Sequence, residues 1–195
     1  MLEKETKQTT YWLYAVIVLT VVDTLTAYSF SDATFDNAEL IPSPSLREGI
    51  RIFSATFYLG SFVVVARWIY LATKVNQDAG IKGLQYSPGA SVAWFFVPVM
   101  NLWKPYFAVK EQYLARLQIS RSLSSDAKTT FRLWWFSFIA SNVLANTSYT
   151  QTYASGDIVG TNAIFTVASG IALVLSCLAF IKIIRQFTAG SEQQS

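Results

Sequence analysis

The chain has 195 residues, of which 52% are hydrophobic, 15% aromatic and only 14% charged, with a net charge of +3. The average soluble domain is about 25% charged, so an ordinary water-soluble class is excluded and an integral membrane protein is expected. There is no histidine, which removes the commonest general base and metal ligand, and the lone Cys177 permits neither an internal disulfide nor a cysteine-spaced metal site.

A helix of about 20 residues spans a bilayer core of about 30 Å. Four segments qualify in chain order: 10–30, 49–73, 131–151 and 161–187. They predict an all-α integral membrane protein forming a single membrane domain over 1–195. In the first segment Lys4 and Lys7 precede the apolar run, but Glu3 and Glu5 offset them and Asp23 falls late in it. That pattern suits a retained span better than a cleaved signal peptide.

Asp23 is the only acidic residue deep in a span. A charge there costs about 2.5–3.5 kcal/mol on insertion scales, so a partner or a watered site is expected. Thr20, Thr24 and Thr26 surround it, and Arg51 is the expected partner. A structural ion pair and a proton- or cation-binding site are both open readings. In the second span Ser54, Tyr58 and Ser61 share a face. Asn142 and Asn146 do so in the third, and Ser169 and Ser176 in the last. Such stripes serve as interhelical glue in lipid or line a hydrophilic path.

Between the second and third spans lies "QYSPGASVAWFFVPVMNLWKPYFAVKEQY", Gln85 to Tyr113. Its apolar part, Ala90 to Trp103, has 14 residues, a length at which crossing and re-entry are both open. Ser87 and Pro88 read as a helix start, and Gly89 as easing the turn. Pro98 predicts a kink, with Asn101 as partner for the backbone groups it frees. The expectation is a kinked re-entrant or interfacial helix at 88–103. An amphipathic helix over 105–119 follows, lying on the cytoplasmic surface, with Tyr106, Val109, Tyr113 and Leu117 on one face and Lys110 snorkelling from it.

Charge decides between the two courses. Residues 31–48 hold one basic residue, Arg47, against Asp32, Asp36, Glu39 and Glu48, and residues 152–160 hold none. The stretch from Arg67 to Arg132 holds nine, Arg67, Lys74, Lys82, Lys104, Lys110, Arg116, Arg121, Lys128 and Arg132. Lys and Arg gather on the cytoplasmic side, so four spans, cytoplasmic termini and a hairpin that returns to its own side satisfy the pattern. Trp12, Trp68, Trp103, Trp134 and Trp135 fall at the expected cytoplasmic ends, and Tyr28, Tyr149 and Tyr153 at the outer ones, as interfacial aromatic belts would.

The segment "RWIYLATKVNQDAG" (Arg67 to Gly80) with "LQYSPGASVAWFFVPVMNLWKPYFAVKE" (Leu84 to Glu111) resembles a bacterial membrane family catalogued as domain of unknown function 4328. The residues that carry the resemblance are Trp68, Tyr70, Ser87, Pro88, Gly89, Trp94, Phe95, Pro98, Asn101, Lys104, Pro105 and Tyr106. Where family members often have tryptophan after S-P-G, this chain has Ala90. The resemblance implies a multipass bacterial membrane protein and no particular activity.

The functional expectation is a multipass protein of the bacterial cytoplasmic (inner) membrane that binds rather than catalyses, with no cofactor or metal. Its partners would be the lipid bilayer itself and either anionic lipid headgroups or a protein met at a basic cytoplasmic surface. The residues singled out are Asp23, Arg67, Trp94, Pro98, Asn101, Lys104, Pro105 and Tyr106. Arg67, Lys74 and Lys82 beside the S-P-G helix start suit an anionic headgroup. The alternative is a small transporter or channel with Asp23 and the Asn142/Asn146 stripe along the path. Nucleic-acid binding is not expected, because the basic residues follow the membrane face and form no recognised motif.

Overall fold

The computed structural model describes residues 2–31, 44–117, 123–155 and 161–192, with side chains over 2–25, 49, 52–117, 123–148 and 164–189. Arg51, Tyr28, Tyr149, Tyr153 and Arg121 lie outside the described side chains, as does the acidic segment 32–43. Every regular element described is helical: α1 (Leu2–Ser31), α2 (Pro44–Asp78), α3 (Pro88–Ala93), α4 (Lys104–Arg116), α5 (Ser125–Ser155) and α6 (Thr161–Glu192). A short 3-10 turn, Met100–Leu102, precedes α4.

The long helices pack in the order α2, α1, α6, α5, with α1 against both α2 and α6 and α5 against α6. The short elements α3 and α4 lie across one end, on α2, α5 and α6. Two stretches, Ile52–Asp78 and Ile164–Ala189, are long and apolar enough to cross a membrane. Only 11% of the most apolar part of the first and 33% of that of the second is buried within the protein. A core helix of a soluble protein would be mostly enclosed.

The core is concentrated at the end that carries α3 and α4. It holds Leu13, Trp68, Ile69, Ala72, Val109, Tyr113, Phe131, Trp134, Trp135, Phe180, Ile183, Ile184 and Phe187. Trp68 is at its centre. Its ring meets Phe180 and Phe187 edge-on, at 5.7 and 5.4 Å, and its indole N–H donates to Thr6 Oγ1 at 3.0 Å. Thr6 in turn bonds Thr188 at 2.8 Å, which closes α1, α2 and α6 into one unit. Serines stitch α5 to α6: Ser169 donates to the Ser141 carbonyl and Ser176 to that of Trp134.

Two expectations are corrected here. Trp68, Trp134 and Trp135 stand near the hairpin but are buried, not interfacial. Their N–H groups show the reason where bonds are described: Trp68 and Trp135 satisfy theirs inside the protein, the latter on the Leu102 carbonyl at 2.8 Å. Trp103 alone of that group is 39% exposed. The second correction concerns the face of α4 made by Tyr106, Val109 and Tyr113. It packs on Phe131 and the α5–α6 core and does not lie against an outside surface.

The end of α2 is set by glycine. Gly80 has φ +72°, and the Ile81 and Gly80 amides bond back to the carbonyls of Asn76 and Gln77. This pair of bonds is the Schellman stop, which needs a left-handed residue that glycine adopts without steric cost. Gly60 serves packing instead. Trp12 stacks on Phe57 with centroids 5.0 Å apart, and a Cβ at position 60 would fall 2.6 Å from the Trp12 ring.

Candidate functional site: the hairpin between α2 and α4

The segment that follows α2 is a compact hairpin. Ser87 caps α3 as the sequence predicts, accepting from the Ala90 amide at 3.2 Å, with Pro88 at the helix start. Space beside Gly89 is open, so it is not there to relieve a close contact. The helix is over by Ala93, before Pro98. The Phe95 and Phe96 amides close tight turns on the Val92 and Ala93 carbonyls. No continuous helix therefore runs through 88–103, and the break begins earlier than the proline alone implies.

Val99 has φ 68° and ψ −52°, and the Met100 amide bonds to the Pro98 carbonyl at 2.8 Å. That is a γ-turn of the rare, strained kind, here on a β-branched residue. Strain of about 1–3 kcal/mol persists only where surroundings enforce it. The surroundings are visible: the Leu102 carbonyl is held by Trp135, Phe95 meets the same ring edge-on at 6.4 Å, and the Asn101 amide bonds to Val97.

The two limbs of the hairpin are tied to each other and to α2. Thr73 Oγ1 lies 3.2 Å from Ser91 Oγ. Asn76 Nδ2 donates to both the backbone carbonyl and the side-chain Oε1 of Gln112, each at 3.0 Å. Glu111 accepts from the Gln85 and Tyr86 amides at 2.7 and 3.2 Å, and Gln112 Nε2 reaches it at 3.2 Å. Thr73, Asn76 and Ser91 are fully buried and Gln112 nearly so. Buried polar groups of this kind cost free energy unless paired, so the network specifies how α2, α3 and α4 meet. Asn76, Gln112 and Glu111 went unnoticed in the sequence. The available signal was polar residues at helical spacing with buried apolar ones, Asn76 four after Ala72 and Gln112 three after Val109.

Lys104 is not a free surface cation. Its ammonium sits 5.7 Å from the Tyr86 ring centre and 5.3 Å from that of Trp94. Cation–π attraction of this sort contributes about 0.5–2 kcal/mol and draws the start of α4 onto the 86–94 limb. Pro105 is buried at the first turn of α4, and Tyr106 meets Phe131 edge-on at 6.1 Å. The Trp94 indole N–H and Asn101 Oδ1 are both buried and lack hydrogen-bond partners. No hydrogen bond from the Asn101 side chain to the carbonyls freed at Pro98 is seen among the described residues, so the sequence expectation for it finds no support. The outer lip of the hairpin is apolar and exposed: Phe96, Val97, Val99, Leu102, Trp103 and Phe107.

The other singled-out residues lie elsewhere. Arg67 pairs with Glu5 of α1 at 2.8 Å, the arginine exposed and the carboxylate nearly buried. Lys182 pairs with Asp126, and Arg185 donates to the Tyr14 hydroxyl. These contacts gather the start of α1, the end of α2, the start of α5 and the end of α6 at the hairpin's end of the molecule. Tyr58 donates to Asn142 Oδ1 at 3.2 Å, and Phe62 meets Phe138 at 6.2 Å, so the polar stripes of α2 and α5 face one another. Asp23 is half-buried on α1, next to Thr24, whose side chain lies against Gly170 of α6. Among the described residues no three Cys, Asp or Glu side chains converge as a metal site would require.

These features define an all-helical protein with two helices fit to cross a membrane and a polar-stapled hairpin at one end. The chain belongs to the family described as domain of unknown function DUF4328, whose sequence model matches residues 31–189. The match takes in the hairpin and five of the six α-helices, with α1 almost wholly before it. No curated protein and no solved structure matches the chain.

Proposed function

We propose that this is a multipass protein of the bacterial inner membrane that acts by binding, with four spans made by α1, α2, α5 and α6 and both termini cytoplasmic. The observation that carries the topology is contact between residues on either side of the hairpin. Thr73 touches Ser91, and Asn76 touches Gln112. A segment 88–103 that crossed a bilayer core of about 30 Å would hold Asn76 and Gln112 apart, whereas Ser91, on the entering limb, would meet Thr73 on either course. The hairpin therefore dips its exposed lip, Phe96 to Trp103, into the cytoplasmic leaflet and returns.

Around it stand exposed basic side chains, Lys74, Lys82, Lys128 and Arg132. They form a cationic cytoplasmic surface suited to an acidic partner, either a protein face or anionic headgroups. Lys104 contributes to this surface by fixing the hairpin rather than by meeting the partner. The test is charge reversal at Lys74, Lys128 and Arg132 together. Salt-sensitive cross-linking to neighbours in native membranes should be lost while insertion is kept. Unchanged cross-linking would refute the binding role. A pore along Asp23 and the Asn142 stripe is the second reading, favoured only by the Tyr58–Asn142 bond. It requires Asp23→Asn to abolish ion- or pH-dependent flux in liposomes.

A further inference from the structure

We infer that α1 carries a site for one anionic phospholipid, separate from the basic surface around the hairpin. An open, shallow face of α1 is made by Lys4, Lys7, Gln8, Tyr11, Trp12 and Ala15. Their spacing, i, i+3, i+4, i+7, i+8 and i+11, puts all six on one helical stripe. The same stripe continues through Val18, Val22 and Leu25, all exposed.

Along this line the chemistry changes in one direction. Two ammonium groups and an amide come first, then a phenol and an indole, then only aliphatic carbon. A phospholipid presents the matching sequence of phosphate, glycerol ester and acyl chain. At about 1.5 Å per residue, Tyr11 to Leu25 covers about 21 Å, enough for one leaflet of a core about 30 Å thick. One side chain of this face is fixed in place. Trp12 is fixed by stacking on Phe57 and by its N–H bond to the Phe57 carbonyl at 3.3 Å, with Gly60 leaving room for the ring.

The occupant is anionic because of the charge balance. Glu5 is turned away to Arg67, so the carboxylate that competes at the stripe is Glu3, which pairs with Lys7 at 2.7 Å. An anionic headgroup takes Lys4 and shares Lys7, with Gln8 and the Tyr11 hydroxyl as further donors. Removing both lysines should weaken retention by roughly tenfold or more.

The inference rests on α1 entering the bilayer as proposed above, and the experiment separates the two. The full chain is purified into nanodiscs of phosphatidylcholine containing phosphatidylglycerol. Lipids retained after transfer to detergent are then counted by native mass spectrometry. Wild type should keep one phosphatidylglycerol in preference to phosphatidylcholine. Lys4→Gln with Lys7→Gln should lose that preference, Glu3→Gln should strengthen it, and Lys74→Gln with Lys82→Gln should leave it alone. Equal retention of the two lipids by wild type would overturn the site, as would retention indifferent to Lys4 and Lys7. A chain that stays outside the nanodisc would instead defeat the membrane reading itself.

Discussion

The two halves of α2 are surrounded differently. Toward its C-terminus Trp68, Ile69, Ala72, Thr73 and Asn76 are buried against α1, α4 and α6. Toward its N-terminus Ile52, Phe53, Leu59 and Val63 are exposed. The other long helices repeat the division, with Leu13 buried and Val18, Val21, Val22 and Leu25 exposed on α1, and Phe187 buried and Ile164 and Ile171 exposed on α6. Exposed apolar surface on this scale is a liability in water and neutral in lipid. The contrast teaches that one end is built as a protein core, while the other leaves apolar side chains open, as the proposed membrane setting requires. The buried end also holds the Thr73–Ser91 and Asn76–Gln112–Glu111 contacts, which tie α2, α3 and α4 together.

The largest expected effect sharpens this division. Trp68→Ala removes the ring that joins α1, α2 and α6 and should cost about 3–5 kcal/mol. Val63→Ala, five residues earlier but facing outward, should stay within about 0.5 kcal/mol. Reversible unfolding in mixed micelles, followed by tryptophan fluorescence, checks both. Comparable losses at the two positions would break the comparison. Next, Asn76→Ala leaves the Gln112 carbonyl and side-chain oxygen without their shared donor. It should cost about 1–3 kcal/mol and loosen the hairpin, read as faster hydrogen exchange over 85–112. Gly60→Val drives a side chain into Trp12 and should cost about 1–3 kcal/mol, with a change in Trp12 emission as its stacking on Phe57 is lost.

The smallest effect is one of pH. Burial first, and the negative charge of Asp126 second, hold the Tyr113 hydroxyl above its ordinary pKa of 10.0. The folded state therefore keeps this proton more tightly than the unfolded chain does. The resulting stability is complete below pH 10 and is lost as the pH rises beyond it. Tyr113→Phe should flatten that alkaline decline while forfeiting the hydrogen bond that its hydroxyl donates to Gln186 Oε1 at 3.0 Å, a loss of about 0.5–1.5 kcal/mol at neutral pH. An alkaline melting profile identical to wild type would contradict it.

Much of this was legible in the sequence because lipid and capping chemistry act locally. The four long helices follow from run length. The α3 start follows from Ser87 and Pro88, and the gathering of basic residues at one end from counting them. The break within 88–103 was legible from Pro98, but not its form. A positive φ at Val99 is opposed by that residue's own preference and arises from contacts made by Trp135, far along the chain. The burial of Trp68, Trp134 and Trp135 was hidden for a related reason: indole at a helix end suits an interface and a core equally, and partners such as Thr6 and Phe187 decide. The Asn76–Gln112–Glu111 network was hidden because each residue is ordinary alone. Lys104 counted as a surface charge until the Tyr86 and Trp94 rings stood on either side of it.

The central claim is that the hairpin returns to the face it left, and labelling of one exposed residue just beyond it tests this most directly. Lys128→Cys in a Cys177→Ser background, treated with a membrane-impermeant maleimide, should react in inside-out vesicles and stay unlabelled in intact cells. Labelling from outside intact cells would mean that residues 88–103 cross the bilayer, and the cytoplasmic binding surface proposed here would not exist.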